Sequence, residues 1–150
     1  MAQDGQKLPA VKIFVSQLDN AVKPLDGVGE GNMAGFVLRD VPFARVWLQG
    51  TVVDTDSNSR MFLVDDGTGT ITVTMSDAAS PQRGQYLLLV GAVEVLTSGH
   101  EGRMKGTCDR YRLLCDVIKD VGVGSGTPNR EILWGLEVVD FWKGRELISY

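Results

Sequence analysis

The side chains that could do acid–base or metal chemistry are few in this chain and poorly spaced for it. The single histidine, His100, lies in a glycine-rich segment without a cysteine or second histidine at ligand spacing. Asp65 and Asp66 are adjacent and would point to opposite faces of a strand, so we interpret them as turn residues. Cys108 and Cys115 have no CxxC partner, and no phosphate-binding glycine motif is present. The sequence therefore predicts a protein that is not an enzyme and that uses no metal or cofactor.

The segment Thr127–Trp142 has the residues for a different kind of site, one that binds another protein. Thr127 can cap a helix and Pro128 suits its first turn, so a helix is predicted over about 128–142. At 100° per residue its apolar side chains form two stripes. We predict that the first stripe lies on the chain's own domain: Ile132, Leu136 and Val139, with Leu133 on its flank. We predict that the second stripe docks a partner: Trp134, Val138, Phe141 and Trp142.

The predicted partner-binding residues are the second stripe together with the two leucines of the first stripe and its flank: Leu133, Trp134, Leu136, Val138, Phe141 and Trp142. Trp134 is expected to dominate, because tryptophan is favoured at interface centres. Four large apolar side chains contribute roughly 6–12 kcal/mol gross on burial, and association costs of about 4–15 kcal/mol offset much of it. Contacts from a strand face or loop are therefore expected to add to the helix. The alternative is a helix buried wholly within a monomer.

Alternating residues ahead of this helix predict the domain that must position it. Five segments read as strands, with turn residues or loops between them: 44–53, 60–64, 70–75, 85–96 and 111–119. Gly50 and Gly91 fall inside two of them and indicate the bends that a small barrel needs. Three strands in a meander followed by two more predict an all-β fold, a five-stranded OB-fold barrel with a C-terminal α-helix and a short N-terminal element. Residues 10–21 fit either helix or strand, and 22–35 are predicted to be a flexible loop.

Nucleic-acid binding is the obvious alternative for an OB-fold, and the residues offer little for it. Stacking contributes about 1–3 kcal/mol per base and needs an aromatic ring, whereas the outward row of the third strand is threonine. Trp47, Arg103 and Lys105 are the candidates for weak contact. The net charge of −4 also disfavours a broad phosphate-binding surface. We expect this chain to bind DNA only indirectly or weakly.

The remaining composition bounds the compartment and the number of domains. With 150 residues, 43% of them hydrophobic, the chain can bury an ordinary core, so residues 10–150 are predicted to form one domain after a flexible 1–9. Two cysteines cannot build a disulfide framework, which indicates a reducing compartment, cytosol or nucleus. No run of about eighteen apolar residues occurs, so no membrane span is predicted.

Several segments resemble the RecQ-mediated genome instability protein 2 family. They are Val-Trp-Leu-Gln-Gly-Thr-Val-Val at 46–53, Gly-Gln-Tyr at 84–86 continuing to Val90-Gly91, and Leu-Trp-Gly-Leu-Glu-Val at 133–138. Lys-Ile-Phe-Val-Ser-Gln-Leu at 12–18 fits the family's N-terminal element, so the resemblance covers roughly residues 10–142. The Asp-Asp-Gly-Thr-Gly hairpin at 65–69 is similar to the middle subunit of replication protein A, which has the same barrel-plus-helix plan.

The resemblance implies a non-catalytic OB subunit of the nucleus. It would pair with the C-terminal OB domain of RecQ-mediated genome instability protein 1, in a complex with a RecQ helicase and topoisomerase III alpha that dissolves double Holliday junctions. It also implies docking of a peptide from a Fanconi-type helicase, for which Lys12 and Trp134 match the family's pocket. The alternative is a single-stranded-DNA-binding subunit of the replication-protein-A or telomere-capping type.

Overall fold

The alternating segments form strands in a computed structural model that describes residues 10–20, 23–24, 35–56, 60–75, 81–96, 108, 110–122 and 130–148. The strands are β1 (Ala10–Lys12), β2 (Lys23–Pro24), β3 (Phe36–Leu38), β4 (Val41–Phe43), β5 (Arg45–Asp56), β6 (Met61–Asp65), β7 (Thr70–Met75), β8 (Tyr86–Val95) and β9 (Tyr111–Asp120). The helices are α1 (Val15–Asn20) and α2 (Arg130–Ile148). The predicted residues 1–9 and the predicted start of the last helix lie outside the described residues, and α2 extends past the predicted end at Trp142.

Five of these strands close into a barrel. The order is β5-β6-β7-β9-β8, and β8 pairs back with β5 to complete the circuit. Only the β7–β9 pair is parallel within the barrel. This is the topology of an OB-fold, so the predicted five-stranded barrel with a C-terminal helix is confirmed.

Two bends let the short strands curve enough to close. β5 carries a register shift between Val52 and Asp54, and the β8–β9 pair carries one opposite Val90 and Gly91, where the extra residue is on β9. At the second bend, Val90 faces Val117 and Gly91 faces Cys115, so Asp116 of β9 has no residue opposite it in β8. Strict alternation would point Val117 into the core with Cys115, but this shift turns it outward, where it is 47% exposed.

The N-terminal element is a strand followed by a helix, so each of the two interpretations of residues 10–21 describes part of it. β1 pairs in parallel with the start of β5, where Lys12 lies opposite Trp47. Outside the barrel, β2, β3 and β4 form a separate antiparallel sheet, and the Phe36 ring packs edge-on against Tyr111 at 5.5 Å. The flexible loop predicted for 22–35 is wrong at Lys23–Pro24, because these residues pair with β3; residues 25–34 lie outside the described part.

The hairpin between β6 and β7 holds the N-terminal helix in place. One carboxylate oxygen of Asp66 accepts the backbone N–H of Val15 at 2.8 Å, and the other accepts the N–H of Thr68 at 2.8 Å. The Thr68 hydroxyl oxygen accepts the N–H of Ser16 at 3.0 Å. Burial raises the pKa of the Asp66 carboxyl, although its hydrogen bonds favour the charged form. The turn role predicted for this aspartate pair is confirmed, and Asp66 additionally satisfies a free donor at the start of α1.

Candidate partner-binding helix

Helix α2 lies across β1 and β5 and buries its aromatic side chains there. Trp134, Val138 and Trp142 are each 1–2% exposed and belong to the hydrophobic core. The indole N–H of Trp142 donates to the backbone carbonyl of Lys12 at 2.6 Å. Phe141 is half-buried and packs edge-on against Trp142 at 5.1 Å. The aromatic stripe is therefore the inner face of the helix.

The predicted assignment of the two stripes is wrong, because the structure reverses it. The aliphatic stripe is exposed to solvent: Ile132 by 60%, Leu133 by 38%, Leu136 by 63% and Val139 by 54%. The physical reason is that large rings gain most from burial, and the Trp142 donor finds a carbonyl on the chain's own first strand. A two-striped helix is present as predicted, with the smaller side chains facing outward.

This reversal changes which predicted residues are available to a partner. Leu133 and Leu136 lie on the outer face, whereas Trp134, Val138 and Trp142 are covered by their own domain. These three side chains therefore contact the barrel, and the direct contact with a partner that was predicted for them is wrong. The outer residues that the prediction omitted are Ile132 and Val139. Ile132 and Val139 are seven residues apart with Leu136 between them, a spacing that indicates one helix face. The prediction places that face against the chain's own domain rather than against a partner.

The structure brings together the two residues predicted to dock a peptide. The Lys12 ammonium lies 3.2 Å from the Glu137 carboxylate and 6.0 Å from the centre of the Trp134 ring. Trp47, opposite Lys12 in the β1–β5 pair, is 38% exposed. The Trp134 indole nitrogen is buried and has no hydrogen-bond partner among the described residues. Lys12 of β1 therefore lies beside α2, at the point where the helix crosses β1.

Only one of the residues predicted to touch nucleic acid lies in the described part of the chain. Trp47 lies on β5, while Arg103 and Lys105 fall outside the described residues. OB-folds bind single strands across the second and third barrel strands, here β6 and β7. On the outward side of these strands Leu63 and Thr72, which are paired, are only 8% and 1% exposed. That part of the face offers neither an exposed ring nor a cation.

The described part of the chain includes no group of three or more His, Cys, Asp or Glu that could hold a metal ion. None of its helices has the length and apolar character needed to cross a membrane.

Comparison with known proteins identifies the family. The sequence model described as RecQ-mediated genome instability protein 2 matches residues 9–142. The chain belongs to this family. The predicted resemblance is thereby confirmed, and it places the protein among OB-fold proteins of genome maintenance.

Other proteins share the fold at lower similarity. The CST complex subunit STN1 of Arabidopsis thaliana is 32% identical over 107 residues, which is 63% of this chain and 67% of that protein. A replication protein A heterotrimer bound to ssDNA contains a chain with TM-score 0.62 and 18% identity, covering 88% of this chain and 93% of the other. The S. pombe Stn1-Ten1 complex gives TM-score 0.64 and 15% identity, with 91% and 93% covered. These two structures agree with the barrel-plus-helix plan.

Proposed function

We propose that this protein is a non-catalytic OB subunit that pairs through the outer face of α2 with an OB domain. The partner is the C-terminal OB domain of RecQ-mediated genome instability protein 1. The pair serves a RecQ helicase and topoisomerase III alpha in the nucleus, where the complex dissolves double Holliday junctions and maintains genome stability. Membership of the RecQ-mediated genome instability protein 2 family supports this assignment.

The observation that carries the proposal is the aliphatic outer face of α2. Its helix is already held to the barrel by buried rings, so Ile132, Leu136 and Val139 have no role in that packing. Their spacing of four and three residues is that of a helix–helix seam. An amphipathic helix of the partner would cover this seam and remove its apolar surface from water.

The size of the seam indicates that it is not the whole interface. Burying four aliphatic side chains contributes roughly 6–12 kcal/mol gross, and each is already partly covered. Association costs of about 4–15 kcal/mol offset a large part of this gain. Additional contacts are needed, and the flank with Lys12 and Trp47 adjoins the seam on one side.

Alanine substitution of the outer face tests the proposal directly. The double variant Ile132→Ala/Leu136→Ala should lose co-elution with the partner OB domain in size-exclusion chromatography, while its melting temperature stays that of the wild type. Lys119→Ala, an exposed charged position on β9 rather than on the outer face of α2, is the control and should pair normally. Undiminished pairing of the double variant would refute the proposed interface.

Peptide docking at Lys12 and Trp134 belongs to the same proposal. A peptide of the Fanconi-type helicase would place a side chain beside the Lys12 ammonium, which lies 6.0 Å from the centre of the buried Trp134 ring. Lys12→Ala should weaken binding of that peptide to the assembled pair, measured by fluorescence anisotropy. Unchanged affinity in this variant would remove Lys12 from the pocket.

A telomere-capping or replication-protein-A type of subunit is the second candidate, favoured by the similarity to STN1. It requires salt-sensitive binding of single-stranded oligonucleotides by the isolated protein. The buried outward side of Leu63 and Thr72 argues against the usual strand face. An anisotropy titration without binding at low salt would exclude this candidate.

A further inference from the structure

A groove lies between α2 and the hairpin that holds α1, on the flank of the helix opposite to Glu137. It has a volume of about 540 Å³. Phe14, Val53 and Ile132 supply apolar walls, and Tyr86 lies at one end. The groove is separate from the outer seam of α2, although Ile132 borders both.

The charged groups that line this groove are all acidic. Asp65 and Asp66 of the hairpin and Glu131 of the helix contribute carboxylates, and no lysine, arginine or histidine is among the lining residues. Asp66 is held by N–H and O–H donors, and Glu131 makes no ion pair with any residue of the described part. Among the described residues that line it, the groove therefore has three carboxylates and no basic side chain, while Arg130, next to Glu131 in the chain, lies close enough to act on Tyr86.

The phenol of Tyr86 lies close enough to the carboxylates of Glu131 and Asp66 to interact with them electrostatically. Burial is the main cause that raises its pKa to about 12; the carboxylates of Glu131, Asp66 and Glu137 contribute to the rise, and Arg130 opposes it. The three carboxylates give this side of the molecule a negative potential, of which the pKa of Tyr86 reports only the smaller part. The ligand that such a region favours is a cation.

We propose that this groove binds a lysine or arginine side chain presented by an aliphatic peptide segment. The apolar walls suit the methylene stem of such a side chain, and the carboxylates suit its charged end. The rings of Phe14 and Tyr86 add attraction for a cation, which favours arginine. This contact goes beyond pairing through the outer seam, and it supplies a second, charge-selective point of recognition.

A pair of short peptides tests the proposal on the full chain. Acetyl-Leu-Arg-Val-amide should produce saturable shifts of the Gly67 and Gly135 amide signals in ¹H–¹⁵N spectra, because both residues line the groove. The same peptide with citrulline keeps the shape but lacks the charge, and it should leave these signals unchanged. Equal shifts with both peptides, or no saturable shifts with arginine, would overturn the proposal.

Charge-neutral variants show whether the effect belongs to the groove. Glu131→Gln should weaken binding of the arginine peptide by about fivefold, which corresponds to the ~1 kcal/mol upper range of an exposed ion pair. Asp140→Asn removes the same charge from the same helix outside the groove and should leave the affinity unchanged. Equal effects of the two variants would indicate net charge alone and would overturn the assignment. Leu136 and Val139 do not line the groove, so failure of seam pairing in a Leu136→Ala or Val139→Ala variant does not bear on this result.

Discussion

The indole of Trp142 shows how one donor group helps to decide which face of a helix is buried. Its N–H donates to the Lys12 carbonyl at 2.6 Å, so the ring is fixed over β1 rather than left for another protein. This bond avoids the cost of about 1–3 kcal/mol for an unpaired buried N–H, whereas the buried indole nitrogen of Trp134 has no partner among the described residues. The aliphatic side chains on the other face have no polar atom to satisfy and can stay at the surface until a partner covers them.

Among the described glycines, Gly91 is the one at which an added methyl group would meet the closest neighbour. A Cβ at this position would lie 2.2 Å from the carbonyl oxygen of Leu114 on the neighbouring strand. Gly91→Ala should therefore lower the free energy of unfolding by about 3 kcal/mol, because backbone rather than a flexible side chain must move. Urea denaturation followed by circular dichroism measures this loss.

Gly135 is the matched control for that substitution. Nothing lies within 4 Å of a Cβ built there, and the residue sits inside α2. Gly135→Ala should raise the free energy of unfolding by about 0.5–1 kcal/mol, because alanine loses less entropy in a helix. Destabilisation at both positions would contradict the close approach as the cause at Gly91.

The ion pair of Arg45 and Asp116 predicts a weak dependence of stability on acid. The guanidinium makes two hydrogen bonds to the carboxylate, at 2.8 and 2.9 Å, and holds the pKa of Asp116 below its ordinary 3.8. Because the folded pKa is depressed, the contribution is present above pH 3.8 and is lost as the pH falls through the lower folded value. Asp116→Asn should lower the melting temperature slightly at neutral pH, and the gap should close in acid. A gap that widens in acid would reverse the inferred sign.

At the scale of the element, α2 is a helix with two apolar faces that do different work. One face, with Trp134, Val138 and Trp142, joins the helix to the barrel. The other, with Leu136 and Val139, is more than half exposed. Substitutions on the two faces should therefore separate stability from pairing.

Two adjacent valines provide the comparison. Val138 is 1% exposed and Val139 is 54% exposed. Val138→Ala should cost about 2 kcal/mol of folding stability, because it leaves a cavity under the helix. Val139→Ala should change stability by less than about 0.5 kcal/mol and should weaken binding to the partner OB domain. Thermal melts and calorimetric titrations measure the two effects, and a stability loss of equal size at both positions would contradict the assignment of the faces.

At the scale of the whole molecule, the sequence was enough to predict the barrel but not the face of α2. Alternation in 70–75 was sufficient for a strand, because inward residues must be apolar, and Gly91 marked one bend, whereas the register shift of β5 lies between Val52 and Asp54 rather than at Gly50. The stripes of α2 are both apolar, so periodicity could not tell which one faced the barrel. That choice depends on Lys12, more than a hundred residues away in the chain. The hydrogen bond from Val15 to Asp66 also joins residues far apart in the chain, 51 positions, and only the turn at Asp66 could be predicted.

An unpaired chain should reveal its outer seam by self-association. The exposed residues Ile132, Leu136 and Val139 form a continuous apolar stripe that a second copy can cover in the absence of the partner. Sedimentation velocity should show an average mass that rises with protein concentration, and Leu136→Asp should abolish the rise. A wild-type chain that stays monomeric at high concentration would show that the stripe is too small to associate by itself.

The hydrogen bond between Trp142 and Lys12 has a consequence for synthesis. The ribosome delivers β1 first and α2 only after every barrel strand, yet the two must meet before the helix is seated. A nascent barrel therefore exposes the apolar surface that α2 later covers while the helix is still being translated, and such surface is prone to aggregation. Premature termination anywhere between β9 and Trp142 would leave this apolar surface uncovered. Nonsense alleles in this interval should therefore yield insoluble protein rather than a working fragment.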